Sequence, residues 1–263
     1  MALTPTEALY SSLQMAYDHF NTELFDGRLP NVIFTMQRQQ KCMGYLSPDR
    51  WASTERDQHC HELAINPSFI GKSSLLNTCQ TLVHEACHVW QYSDTSATPS
   101  RNGYHNTEWA LKMEGIGLMP SHTGLPGGKK TGQKMSDYPI LGGQFLEACR
   151  TLITVQSFRI PWFDRWAFPA NEYQLPHEIK EYLDGKQTGA GQDEPPQSNV
   201  VELLATPLVE LLKGGRADTF LPAAAKAPPT RTKYQCDCKD NIWGKPGLKI
   251  KCETCKQRFL ALD

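Results

Sequence analysis

The chain has 263 residues, 40% hydrophobic and 21% charged, with a formal net charge of −1. That length and apolar fraction suit one large domain or a domain with attachments, and the near-zero charge singles out no partner. The opening MALTPTEALYSSLQMAYDHF lacks the basic and apolar regions of a signal peptide. No stretch approaches the roughly 18 apolar residues of a membrane span, which argues against secreted and membrane-spanning classes and predicts a soluble, cytoplasmic protein.

TPTEALYSSLQMAYDHFNTELF reads as a helix: Thr4 can cap it, Pro5 fits its first turn and Glu7 completes a capping box. Leu9, Leu13, Ala16, Phe20 and Leu24 follow helical spacing. DGRLP breaks the chain, and NVIFTM, GYLS and HELAINP read as three short strands. A second helix starts at Ser73 or Ser74 and runs from about Leu75 to Gln91, burying Leu75, Leu76, Cys79, Leu82, Val83, Ala86, Cys87 and Trp90. After the loop DTSATPSRNGY comes a third helix, NTEWALKMEG. Residues 118–143 are rich in Gly, Pro, Lys and Ser and read mostly as loop. GGQFLEACRTLI and HEIKEYLDG read as helices, with the aromatic, irregular SFRIPWFDRWAFP between them. GKQTGAGQDEPPQS and LPAAAKAPPT are linker-like; NVVELLATPLVELLKGG between them has helical spacing and suits a docking helix or a linker helix equally. This places a first domain at 1–185, with an extension after about 120, a linker at 186–230 and a separate module at 231–263.

QTLVHEACHVWQ concentrates the chemistry. His84 and His88 lie four apart, on one helix face, where two imidazoles can share a zinc ion. Glu85 beside the first is placed to take the proton of a zinc-activated water for attack on a carbonyl. A catalytic zinc usually takes a third protein ligand, and His105, Glu108, Glu114 and His122 are the downstream candidates. His59, His61 and His122 read by default as structural or surface residues.

Cys236, Cys238, Cys252 and Cys255 follow a C-x-C, thirteen-residue, C-x-x-C spacing, which suits a zinc ribbon with four thiolates and no open position. IWGKPGLKIKC reads as a β-hairpin between the pairs, and a core this small needs the metal to fold. The remaining cysteines, Cys42, Cys60, Cys79, Cys87 and Cys149, read as small core residues. Residues 231–263 carry eight Lys/Arg against four Asp/Glu. Lys245, Lys249, Lys251, Lys256 and Arg258, with Trp243, are candidates for nucleic-acid or partner contact through phosphate pairing and base stacking.

FNTELFDGRLPNVIF, GYLS, HELAINPSFI, LVHEACHVWQ and GYHNTEW together resemble the SprT-like (Spartan-type) zinc metalloproteases. The resemblance covers about the first 150 residues and the C-terminal module. It matches His105, Glu108 and Trp109 to an H-G-x-E-W-like segment in which the histidine is the third ligand, with Asn106 in place of the usual glycine. It implies an α+β fold, a zincin-like protease domain with helices on a small mixed sheet plus a zinc ribbon. It also implies two zinc ions, one catalytic and one structural, and an endopeptidase acting on DNA-associated or DNA-crosslinked proteins, nucleoid-associated if bacterial. HELAIN is then the expected edge to which an extended protein substrate adds as a strand. Tyr138 and His122 are candidates for approaching the substrate oxyanion, although an ordinary loop role is preferred for both. Two alternatives are a non-catalytic zinc-stabilised DNA- or partner-binding protein and a protease dedicated to one target in a defence or mobile-element system. No membrane partner is expected.

Overall fold

Thr4 opens the first helix, α1 (Pro5–Phe25), with a complete capping box: its hydroxyl accepts from the Glu7 N–H, and its own N–H donates to the Glu7 carboxylate at 2.8 Å. Asp26 ends the helix in the left-handed region at φ 57°. Leu13, Ala16, Tyr17, Phe20 and Leu24 form its buried face. The protein is described here as a computed structural model covering residues 2–39, 42–71, 73–101, 103–166, 177–185, 200–208 and 231–262. It divides into two units, 1–221 and 222–263, and its architecture is mixed α+β with small sheets.

Three strands follow α1: β1 (Val32–Met36), β2 (Gly44–Ala52) and β3 (His59–Ile65). The sheet order is β1-β3-β2, with β1 parallel and β2 antiparallel to β3. HELAIN therefore lies in the central strand, both of its sides already paired, and cannot be the docking edge expected from the sequence. The reason is visible in the burial: Leu63, Ala64 and Ile65 are all buried, as residues on both faces of a central strand are. The free edges belong to β1 and β2. Val32, Phe34, His61, Leu63, Ile65 and Leu46 share the face towards the helices, where Phe34 meets Tyr17 edge-on at 5.8 Å.

The short helix α2 (Pro67–Ile70) leads into α3 (Leu75–Ser93), whose N-cap Ser74 accepts from the Asn77 N–H at 3.1 Å. Leu76, Val83 and Cys87 on α3 are fully buried. α4 (Thr107–Gly115) is capped by Asn106, the residue standing where the family pattern has glycine. The stretch read as loop holds a hairpin, β4 (Leu118–Ser121) paired with β5 (Ser136–Pro139). Four-residue strands that each contain a proline leave no periodicity to read. α5 (Gln144–Thr154) packs on α1, with Phe145 stacked on Phe20 at 6.2 Å.

α6 (His177–Gly185) and α7 (Val200–Ala205) complete the first unit. The sequence places α7 within a linker, but Val200 and Leu204, four apart, are buried against α3, α5 and α6. The Leu208 N–H then donates to the Ser73 carbonyl at 3.4 Å, beside the cap of α3. Residues 200–208 thus pack with the first unit. The linker-like stretches 186–199 and 209–230 lie outside the described residues.

The second unit is a three-stranded antiparallel sheet ordered β7-β6-β8, from β6 (Thr232–Gln235), β7 (Asn241–Gly244) and β8 (Leu260–Leu262). The expected hairpin over 242–252 does not form, because β7 pairs back on β6. The buried Tyr234 explains the choice: its hydroxyl donates to the Lys245 carbonyl at 2.7 Å and accepts from the Leu248 N–H at 3.0 Å, pinning the 245–248 turn against β6. No helix among the described residues is long and apolar enough to cross a membrane.

Candidate metal centres

His84 and His88 occupy successive turns of α3, and His105 lies just before the cap of α4. A two-way backbone pairing with Gly132 locks His105 in place: its N–H donates to the Gly132 carbonyl at 2.8 Å and its carbonyl accepts from the Gly132 N–H at 3.1 Å. One ring nitrogen from each of the three histidines falls within 4.8 Å of the others. Trp109, fully buried on α4, backs all three rings, with centroids 4.8, 5.3 and 4.4 Å from those of His84, His88 and His105.

Hydrogen bonding fixes what these rings present. His84 Nδ1 lies 3.0 Å from Asp137 Oδ2, and His105 Nδ1 lies 3.0 Å from the Gly132 carbonyl. Both oxygens accept, so both Nδ1 atoms carry the proton. The neutral rings then turn bare Nε2 lone pairs towards each other across 3.1 Å. Only a proton or a cation between them relieves that arrangement. Two ligands 2.0–2.1 Å from a tetrahedral zinc stand about 3.3 Å apart, so the donor set fits zinc in type and spacing.

The electrostatics favour the neutral form for two of the three rings. Burial, then the charge of His84, holds His105 down to about 4. Burial, with the charges of His84 and His105, holds His88 well below the ordinary imidazole value. For His84 burial is again the largest influence and pulls downward, but the Asp137 hydrogen bond with the charges of Glu85 and Asp137 outweighs it, and the result is raised. Glu85 is buried between α3 and β2, and burial pushes its carboxyl up to about 7 against the opposing influence of His84. The Leu46 backbone of β2 near this carboxyl pulls it the other way.

Strand β2 comes this close because residue 44 is glycine: a Cβ there would stand 3.0 Å from Thr81 Cγ2 and from the Ala64 oxygen, and 3.3 Å from Glu85 Cγ. Further along, Pro48 lacks an N–H and the register shifts between Ser47 and Trp51. Asp49 sits there at φ 47°, and its N–H donates to His61 Nδ1 at 2.9 Å. The regular free edge of β2 beside Glu85 is therefore Gly44–Ser47.

The other candidates are engaged elsewhere. Glu108 Oε2 accepts from the Thr98 N–H at 2.6 Å, and Glu114 pairs with Lys130 at 2.7 Å. His122 Nδ1 accepts from the Lys129 N–H at 2.8 Å, and His59 is exposed. Tyr138 follows Asp137 on β5, and neighbouring strand residues point to opposite faces, so it faces away from the rings. Sequence reasoning missed Asp137 and its partner Gln80, whose Nε2 donates to Asp137 Oδ1 at 3.1 Å. Nothing local to Asp137 signals its role.

In the second unit Cys236, Cys238, Cys252 and Cys255 bring their sulfurs within 4.8 Å of one another. The first pair lies in the turn between β6 and β7, the second in the turn closed by the Lys251–Arg258 bridge. The Cys255 N–H, and then that of Thr254, hold the Cys252 thiol down to about 6, which favours the thiolate. On the sheet, Lys233, Trp243 and Leu262 share a row, with Trp243 62% exposed and Lys233 Nζ 5.6 Å from its ring centre. Lys245, Lys249, Lys251, Lys256 and Arg258 are also exposed.

The SprT-like family model matches residues 13–130, the span that holds His84, Glu85, His88 and His105. A curated protein of Salmonella typhimurium, "Uncharacterized protein in mucB 3'region", is 43% identical over 51 residues, covering 19% of this chain and 69% of that protein. No solved structure matches.

Proposed function

The chain belongs to the SprT-like family, and on that footing we propose that it is a zinc-dependent endopeptidase of zincin-like fold that acts on DNA-associated or DNA-crosslinked proteins. The observation that carries this is the convergence of His84, His88 and His105 with the buried carboxyl of Glu85 on the same helix. A zinc ion held by the three imidazoles supplies Lewis-acid activation of water and of the scissile carbonyl. Glu85 takes the proton of the attacking water on its carboxylate and then delivers it to the leaving amide nitrogen. The unpaired edge of β2 along Gly44–Ser47, where the Gly44 carbonyl already accepts from the Cys42 thiol, supplies its remaining backbone groups to hold an extended substrate segment as an added strand. Trp109 keeps the three rings from rotating.

The four cysteines hold a second, structural zinc in the ribbon. Its exposed Trp243 and the basic residues around it dock the enzyme on DNA, with the indole stacking on an unpaired base and the cations on phosphates. This reading places the protein in the cytoplasm, at the nucleoid in a bacterium.

The test measures cleavage of a protein crosslinked to single-stranded DNA and of the same protein free. Glu85→Gln should lose about 10²–10⁴-fold in rate while retaining both zinc ions. Trp243→Ala combined with Lys249→Ala and Lys251→Ala should slow cleavage of the crosslinked form only. Wild-type cleavage by Glu85→Gln would sink the protease reading, and equal slowing of both substrates by the triple variant would sink DNA docking.

A further inference from the structure

We propose that Asp137 is a positioning residue for the histidine site: it fixes the tautomer and orientation of His84 and sets how tightly the site retains zinc. The inference rests on the metal reading above and extends it to a segment beyond residues 13–130, the span of the family match.

Gln80 and His84 are one turn apart on the same face of α3, and they grip the two carboxylate oxygens of Asp137 between them. Oδ1 accepts from Gln80 Nε2 at 3.1 Å, and Oδ2 lies 3.0 Å from His84 Nδ1. The Gln80 amide also reaches the Asp137 backbone carbonyl at 3.3 Å. All this is buried, Asp137 being 7% exposed and Gln80 6%. Two features separate the arrangement from ordinary core hydrogen bonding. Among the described residues no Lys or Arg forms an ion pair with Asp137; its one charged-type partner is the His84 imidazole. A buried carboxylate without a cation is costly, and a dication behind that imidazole would remove the cost. The Gln80 Oε1, moreover, is buried without a partner among the described residues. The amide leaves its own acceptor unsatisfied while its donor serves the carboxylate.

The hairpin region thus supplies the outer partners of two rings, Asp137 for His84 and the Gly132 carbonyl for His105, so both Nε2 atoms face the centre. Outer carboxylates of this kind commonly contribute 10–100-fold in metal affinity.

The experiment titrates zinc from the full chain with a chromophoric chelator. Wild type should release zinc in two phases, of which His105→Ala removes the one belonging to the histidine site. Asp137→Ala should weaken that phase about 10–100-fold and leave the thiolate phase unchanged. Asp137→Asn, isosteric and still an acceptor but uncharged, should weaken it less, and Gln80→Leu should also weaken it by a smaller factor. A purely structural Asp137 would instead lower the melting temperature of the zinc-free chain without separating Asn from Ala in affinity. If wild type shows two phases and Asp137→Asn and Asp137→Ala bind with equal affinity, the inference is overturned while the metal reading stands. A wild-type chain showing only the thiolate phase overturns the metal reading and this inference with it. Should Asp137→Ala fail to fold, the isosteric Asn variant decides: wild-type affinity overturns the proposal, and weakened affinity with normal zinc-free stability supports it.

Discussion

A carboxylate three residues beyond His105 would serve as well as the histidine if helix spacing alone chose the third ligand. In the structure Glu108 ties the Thr98 N–H to α4, and its distant Gln91 contact of 3.5 Å adds little, whereas His105 turns Nε2 towards His84. His105→Ala should therefore leave about one zinc per chain and Glu108→Ala about two, as metal analysis of the purified proteins would show. Glu108→Ala should act on the 94–106 loop, read as faster amide exchange at Thr98. His84, Glu85 and His88 are legible in the sequence because four-residue spacing on a helix is a local geometric fact. His105 is reached through the family resemblance, and Asp137 is not reached at all. Its partner is 53 residues away, and a lone aspartate before Tyr-Pro has no pattern to mark it.

Elements behave similarly. The helices α1 and α3 announce themselves through caps and apolar periodicity over about twenty residues, and both form where expected. Strand existence was legible for β1–β3, but their order was not, since a parallel neighbour joins β3 from a segment some thirty residues earlier. That non-local pairing leaves HELAIN no free side, which is why the proposed docking edge is Gly44–Ser47. α7 shows the reverse case: apolar spacing in Val200–Ala205 was visible, yet only the three-dimensional packing says that the first unit is its partner. Leu204→Ala should thus cost the first unit about 2–5 kcal/mol in a denaturant titration with zinc present. A linker helix would show less than about 0.5 kcal/mol.

Across the whole molecule, the two units differ in what holds them. The first buries a continuous apolar cluster from Leu13 to Leu204. In the second, Tyr234 is the one buried non-cysteine apolar side chain among the described residues. Prolonged chelation should therefore expose the amides of Thr232–Gln235 and Asn241–Gly244 to rapid hydrogen exchange, while Leu63–Ile65 stay protected, as exchange followed by mass spectrometry would resolve. The kink at Pro48–Asp49 has a bearing on solubility as well. With a net charge of only −1, copies of this chain repel one another weakly, and a long straight strand at the sheet margin would invite them to join side by side. Because the kink confines the accessible margin of β2 to four residues, a stray neighbour finds too few partners on that side to stay, while a peptide anchored by other contacts as well could still use them.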